Sequence, residues 1–290
     1  MKYLRNELLR KHTSFRIGGP ADYFCVPGSV EELKEALIFA KERRLPVAVM
    51  GAGTNLLALD KGFRGLVIKL SGGLRQLKAR GRTLYLGAGV LIPQLLNCMV
   101  RRGLGGVEFL AGIPGTVGGA AVMNAGAWGR EIGRYVDRVR LVDPKGKEII
   151  LKKKRMGFGY RKSVLQKGMH IVVEVVLKLR KSDRRLIKKK MKEYLKQRKT
   201  SQPLGSPNAG SVFRNPRGKF AGKLLEEAGC KGLRIGDAQV STKHSNFIVN
   251  LGEAKARDVI KLITRAQNLV KKKFKIRLEP ELKIMVKSST

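Results

Sequence analysis

Apolar and polar positions alternate along this chain in two rhythms. Residues 29–43, SVEELKEALIFAKER, place Leu33, Ala36, Leu37 and Ala40 on one helical stripe, and Ser29 followed by Glu32 reads as a capping box at its start. Pro46 then opens a short buried strand, VAVM (47–50), followed by the loop GAGTNLL and a second strand, FRGLVIKL (63–70). This is a β-α-β-loop-β beginning. LYLGAGV (84–90) reads as a strand running into glycine, and 93–103 as a helix with Pro93 in its first turn and Gly103 just past its end. VRLVD, the turn PKG and KEIIL form a hairpin, and HIVVEVVLKL (170–179) a long strand. A basic helix spans 183–199, with Ile187, Met191, Tyr194, Leu195 and Arg198 in its 3.6-residue period. The segment 200–211 lacks periodicity and is rich in Pro, Gly and Ser, so it reads as a loop or linker. Beyond it come a helix at 220–229, a strand at 246–250, a longer helix at 253–273 and a closing strand at 281–286.

A length of 290 residues suits two or three small domains. No apolar run reaches the ~18 residues of a membrane span, and the basic, polar start lacks the apolar region of a signal peptide, so the expected location is the cytoplasm with no membrane insertion. The three cysteines (Cys25, Cys98, Cys230) and three histidines (His12, His170, His244) are scattered without a C-x-x-C pair. Neither a metal site nor a disulfide framework is therefore expected.

Charge changes the picture more. Lys and Arg number 61 against 22 Asp and Glu, a net +39. Such a balance would serve a nucleic-acid binder through counterion release. The basic runs (Lys152–Arg155, Arg184–Lys190, Lys271–Lys273) are not interleaved with stacking aromatics, however. A solvated surface that attracts small anionic ligands is favoured over a specific nucleic-acid site.

Candidate chemistry concentrates in two glycine-dense loops. Neither is a Rossmann fingerprint: G-A-G-T-N-L lacks the third glycine and no helical pattern follows it. Gly51 and Gly53 would let backbone approach a ligand, with Thr54 and Asn55 as donors. The stretch GIPGTVGGAAVMNAGAWG (112–129) leaves much bare backbone for a long, flat ligand. Tight turns alone would account for one such loop less problematically than for two.

Seven collinear segments, SFRIGGPADYF (14–24), GAGTNLL (51–57), 112–129, FGYRKS (158–163), NAGSVFRNP (208–216), 228–250 and LEPELKI (278–284), resemble the UDP-N-acetylenolpyruvoylglucosamine reductase family, across nearly the whole chain. GAGTNLL alone is shared across FAD folds of the vanillyl-alcohol-oxidase type; the combination with FGYR, NAGSVFRNP and LEPELKI is specific. The short distance from FGYR to NAGS matches the form of the family that lacks a tyrosine-bearing loop.

The resemblance implies an α+β fold, with a two-part FAD-binding region of that type and a C-terminal α+β substrate domain. The expected division is 1–70, rejoined by a C-terminal strand at 277–290, then 71–200, then 201–276. It implies noncovalent FAD, since neither loop carries a His or Cys placed for attachment, with NADPH as hydride donor. The product would be UDP-N-acetylmuramate for peptidoglycan synthesis, formed by reducing the enolpyruvyl group of a UDP-sugar, with hydride from reduced FAD. The cofactor's pyrophosphate maps onto Gly51, Ala52, Gly53, Thr54 and Asn55. The rest of it maps onto Gly112, Ile113, Pro114 and Gly115, with Thr116, Gly118, Gly119 and Asn124. The catalytic residues map onto Arg161, Ser211 and Glu281, and a substrate contact onto Asn215; Lys231 is a candidate for the diphosphate on charge, with the choice of lysine left open.

The residue types suit those roles. Arginine grips a carboxylate through two parallel bonds and keeps its charge. A buried glutamate can stay protonated to stabilise an enol, and serine can deliver a proton if a network polarises it. Each also has an ordinary alternative: a solvated arginine, an acid paired with surface cations, a serine in a local turn. Only the resemblance selects Glu281 over Glu279. Lys223 is a weaker candidate for the diphosphate, and His244 reads as structural. The expected protein is a monomer. A rival FAD enzyme acting on an alcohol would keep GAGTNLL without the other motifs, and a nucleic-acid binder would account for the charge but not for both loops.

Overall fold

The computed structural model describes residues 1–168 and 170–286; the last four residues of the expected 277–290 segment lie outside them. The chain divides into two compact units. The first comprises Met1–Leu4, Tyr23–Ala52 and Gly65–Gln197; the second comprises Arg5–Asp22, Gly53–Arg64 and Arg198–Thr290. The expected segment 201–276 falls wholly in the second unit, whereas 1–70 is shared between the two.

In the first unit, helix α1 (Val30–Glu42) begins where Ser29 Oγ accepts the N–H of Glu32 at 3.1 Å. The Glu32 carboxylate does not close the expected box on Ser29. It accepts the N–H of Gly28 at 2.6 Å, one residue further out. Leu33, Ala36, Leu37 and Ala40 are buried as their spacing predicts, and each fully buried leucine is worth about 1.5–3 kcal/mol. Strand Val47–Met50 pairs in parallel with Phe63–Lys69, Val47 opposite Leu66 and Met50 opposite Lys69.

A five-stranded antiparallel sheet forms the rest of this core. Its order is Glu148–Lys152, Val136–Val142, Ile171–Lys178, Thr83–Gly87, Leu77–Arg80. Asp143 Oδ1 closes the hairpin turn by accepting the N–H groups of Lys145 and Lys147, both at 2.8 Å. The central strand is buried on both faces, which is why it reads as a near-continuous apolar run. Helix α2 (Ile92–Arg102) has Pro93 in its first turn and ends at Gly103 in the left-handed region, φ +61°. Helix α3 (Val117–Val122) lies inside the glycine-rich stretch and packs on the central strand.

Helix α4 (Arg184–Ser201) is the basic helix expected at 183–199. The segment read as linker from 200 is more ordered than its composition suggests. The helix runs to Ser201, and Asn208–Ser211 is a strand paired with Phe247–Asn250. The second unit's antiparallel sheet runs Asn208–Ser211, Phe247–Asn250, Ala238–Val240, Arg234–Ile235. Helices α5 (Ala221–Glu227) and α6 (Ala256–Phe274) bury Leu224, Leu225, Val259, Leu262 and Ala266 in its core. Asp60 caps α6, its two carboxylate oxygens accepting the N–H groups of Ala256 (2.7 Å) and Arg257 (3.0 Å). The negative charge sits where the helix dipole favours it. Strand Lys283–Met285 pairs in parallel with Leu56–Ala58. Among the described residues no helix is long and apolar enough to cross a membrane.

Candidate active site

In the first unit the two glycine loops meet. Gly51 follows the strand Val47–Met50, which is half-buried rather than buried as read from sequence, with Val49 exposed and only Met50 buried, and a Cβ at Gly51 would stand 2.6 Å from Thr116 Oγ1. Thr116 is itself buried and caps α3 by accepting the N–H of Gly119 at 3.2 Å. A side chain at position 51 would therefore displace the cap that starts α3. Gly118 lies flat on the strand-end at Ala88: its N–H donates to the Ala88 carbonyl at 3.0 Å, and a Cβ would meet Ala88 Cβ at 2.7 Å. The N–H of Ile92 donates to the Gly115 carbonyl and that of Val117 to the Val90 carbonyl, so the second loop is clamped at both ends. Ile113 is held by its N–H on the Leu110 carbonyl. Ala52, Gly112 and Pro114 complete the same loops in this unit.

Asn124 behaves differently from its neighbours. It is fully buried, and its side chain is engaged with protein: Nδ2 donates to Glu131 Oε2 and to the Gly159 carbonyl, both at 2.8 Å, while Oδ1 accepts the N–H of Gly133 at 2.9 Å. Arg161 sits in the tight turn 159–162, closed by two backbone bonds between Gly159 and Lys162. Its guanidinium donates to the Gly126 carbonyl at 3.0 Å and stacks near the half-exposed Tyr160, 5.4 Å from the ring centre.

The second unit gathers the remaining candidates. Strand Asn208–Ser211 leads into Val212, whose carbonyl accepts the N–H of Glu281 at 2.7 Å. Ser211 and Glu281 are thereby held on adjoining backbones. Asn55 joins them: its Nδ2 donates to the Glu281 carbonyl at 3.3 Å, and its own carbonyl accepts the N–H of Lys283. Thr54 and Gly53 precede it, Thr54 with its carbonyl 4.0 Å from a Cβ placed on Gly210. The Lys283 ammonium is held below the usual lysine range, first by partial burial and then by Arg214, with Glu281 opposing.

Asn215 Oδ1 accepts the N–H of Ala221 at 3.0 Å and so starts α5. Lys231 is exposed and pairs with Glu226 at 2.8 Å, which holds the Glu226 carboxyl below its ordinary range. His244 is engaged with its neighbours: Nδ1 accepts the N–H of Asn246, the ring packs edge-on against Phe247, and burial lowers its pKa.

Two further residues support the site without a signal in composition or spacing. Ser14 Oγ donates to the Asn208 carbonyl at 2.6 Å, and its N–H donates to the Gly53 carbonyl, tying the first loop to the strand that carries Ser211. Asn246 brackets Phe213, accepting its N–H at 2.9 Å and donating to its carbonyl at 2.8 Å, while the Asn246 carbonyl accepts the N–H of Val212. Their only trace in the sequence is their place within segments 14–24 and 228–250.

Comparison with known proteins identifies the family. Residues 21–152 match the FAD-binding domain model, and residues 202–285 match the model of the UDP-N-acetylenolpyruvoylglucosamine reductase C-terminal domain. UDP-N-acetylenolpyruvoylglucosamine reductase 2 of Symbiobacterium thermophilum is 48% identical over 280 residues, covering 97% of this chain and 91% of that protein. The reductase of Desulforamulus reducens is 45% identical over the same length, with 97% and 92% covered. The crystal structure of UDP-N-acetylenolpyruvylglucosamine reductase from Thermus caldophilus superposes with a TM-score of 0.86 at 39% identity, covering 99% of this chain and all of that one. The chain belongs to the UDP-N-acetylenolpyruvoylglucosamine reductase family and carries its FAD-binding and C-terminal domains.

Proposed function

We propose that this protein reduces the enolpyruvyl ether of UDP-N-acetylglucosamine enolpyruvate to the lactyl ether, with NADPH as the electron source. The observation that carries the reading is family membership over nearly the whole chain, with arginine, serine and glutamate at the three positions where the resemblance requires them. The glycine loops suit FAD: both lie within the residues that match the FAD-binding domain, and Gly53, Gly112 and Gly115 hold positive φ, so their turns can present backbone N–H groups to a pyrophosphate. FAD held by these loops would supply the two-electron redox chemistry that links NADPH to the substrate's double bond.

The chain's own residues manage charge and the proton. Arg161 grips the substrate carboxylate with two parallel N–H···O bonds and holds positive charge beside it as negative charge develops. In its acid form Glu281 would donate a hydrogen bond to the enol-like oxygen. Ser211 gives its hydroxyl proton to the carbon next to the carboxylate. Asn215 and Lys231 contact the substrate's sugar-diphosphate end, Lys231 by exchanging its exposed partner Glu226 for phosphate.

Incubating the purified protein with NADPH and the enolpyruvyl substrate tests this reading. UDP-N-acetylmuramate should appear in step with NADPH oxidation, and a flavin-loaded preparation that makes none overturns it. The flavin should be noncovalent: acid precipitation releases the yellow colour into the supernatant, and colour kept in the pellet is the contrary result. The +39 charge should give only weak DNA binding that is steeply salt-dependent and indifferent to sequence. Tight sequence-selective binding at physiological salt would instead reveal a nucleic-acid function.

A further inference from the structure

Arg161 occupies a backbone position that its side chain disfavours. In the turn closed by Gly159 and Lys162, Arg161 has φ +51°, and among the two central residues only it has positive φ. That is the pattern of a type II turn, whose third position ordinarily takes glycine or asparagine. A non-glycine residue there is strained and persists only where its surroundings impose it. The surroundings are the residues at the end of α3. Asn124 Nδ2 donates to the carbonyl of Gly159, the first residue of the turn. Ser163, 3% exposed, donates through Oγ to the Val122 carbonyl at 2.6 Å, just past the turn's last residue. The two bonds clamp the turn at both feet, and Arg161 itself reaches back to the Gly126 carbonyl.

Asn124 is the centre of that clamp. Its other two bonds, to Glu131 and to the N–H of Gly133, anchor it from the opposite side. Gly133 in turn admits the Phe158 ring, 2.6 Å from where a Cβ would stand. Both amide hydrogens and the amide oxygen of Asn124 are thus directed to protein partners. We propose that Asn124, assisted by Ser163, is a positioning residue that holds the Arg161 turn in its left-handed conformation and so aims the guanidinium at the substrate carboxylate. The inference rests on the reading of Arg161 as the carboxylate-gripping group.

The test uses flavin-loaded protein and follows the two half-reactions separately by stopped-flow absorbance. Asn124→Ala should slow reoxidation of the reduced flavin by the enolpyruvyl substrate about 10- to 100-fold, as expected for a displaced catalytic group. Reduction by NADPH is the reference half-reaction and should slow by a clearly smaller factor. In an Arg161→Ala background, Asn124→Ala should slow reoxidation no further, because the residue it aims is already gone. Full additivity in the double variant, or equal slowing of both half-reactions, overturns the positioning role. If Arg161→Ala alone leaves reoxidation unchanged, the functional reading of Arg161 has failed instead. Should Asn124→Ala lose its flavin, Ser163→Ala decides, since it removes one foot of the clamp and leaves all three Asn124 bonds. A several-fold slowing confined to reoxidation, absent in the Arg161→Ala background, upholds the clamp; unchanged reoxidation overturns it.

Discussion

Ser211→Ala should leave flavin binding and NADPH-driven bleaching intact while reoxidation by the enolpyruvyl substrate falls about 100- to 10,000-fold, the usual loss on removing a general acid. That is about 3–5 kcal/mol of barrier. The asymmetry follows from the chemistry: reduction of the flavin delivers no proton to the enolpyruvyl carbon, whereas reduction of the UDP-sugar requires one. The structure predicts that the fold survives the change. The backbone around Ser211 is held without its hydroxyl, through strand pairing with Phe247 and through the bonds of Val212 to Asn246 and Glu281. Stopped-flow absorbance separates the two halves. Equal slowing of both, or of neither, returns Ser211 to a structural role.

Gly118→Ala should lower both thermal stability and flavin occupancy. The added methyl meets Ala88 Cβ at 2.7 Å and the Ala88 carbonyl oxygen at 2.9 Å, so relief requires backbone movement rather than a rotated side chain. Overpacking of this kind costs about 1–3 kcal/mol, and the shift pushes the second glycine loop off the strand-end that shapes it. Gly205→Ala is the control, because a Cβ there meets nothing within 4 Å. Thermal midpoint and the flavin-to-protein absorbance ratio report the outcome. A Gly118→Ala protein with wild-type values for both would show that the close approach has no part in cofactor binding.

Much of the fold was legible because its signals are local. Ser29, Pro93, Gly103 and the Asp143 turn act within a few residues of themselves, and the structure places each where its chemistry demands. Helix α3 was not legible, since Gly118 and Gly119 are poor helix formers. It exists because the Thr116 cap and the carbonyls of Ala88 and Val90 hold it from outside. Strand Asn208–Ser211 was hidden for a similar reason: NAGS has no apolar alternation, and its pairing partner lies some 40 residues on. The candidate site shows the same division. Arg161, Ser211 and Glu281 have unremarkable local surroundings in sequence and were selected by family resemblance alone. The left-handed backbone of Arg161, and the buried amide that clamps its turn, depend on contacts that no short window contains.

The second unit is assembled from three separated stretches of chain, with Leu56–Ala58 paired to Lys283–Met285 and Asp60 capping a helix that begins at Ala256. During vectorial synthesis, the first loop's Asn55 therefore waits for more than two hundred later residues before its partner backbone exists. Most of the first unit, by contrast, is complete once residue 197 has emerged. Biogenesis should be sequential: the first unit has its whole chain once residue 197 has emerged, and Ser211 and Glu281 are held on adjoining backbones only after residue 281 is made. A nascent chain halted before residue 283 would hold every residue of the first unit and lack the strand that pairs with Leu56–Ala58 in the second.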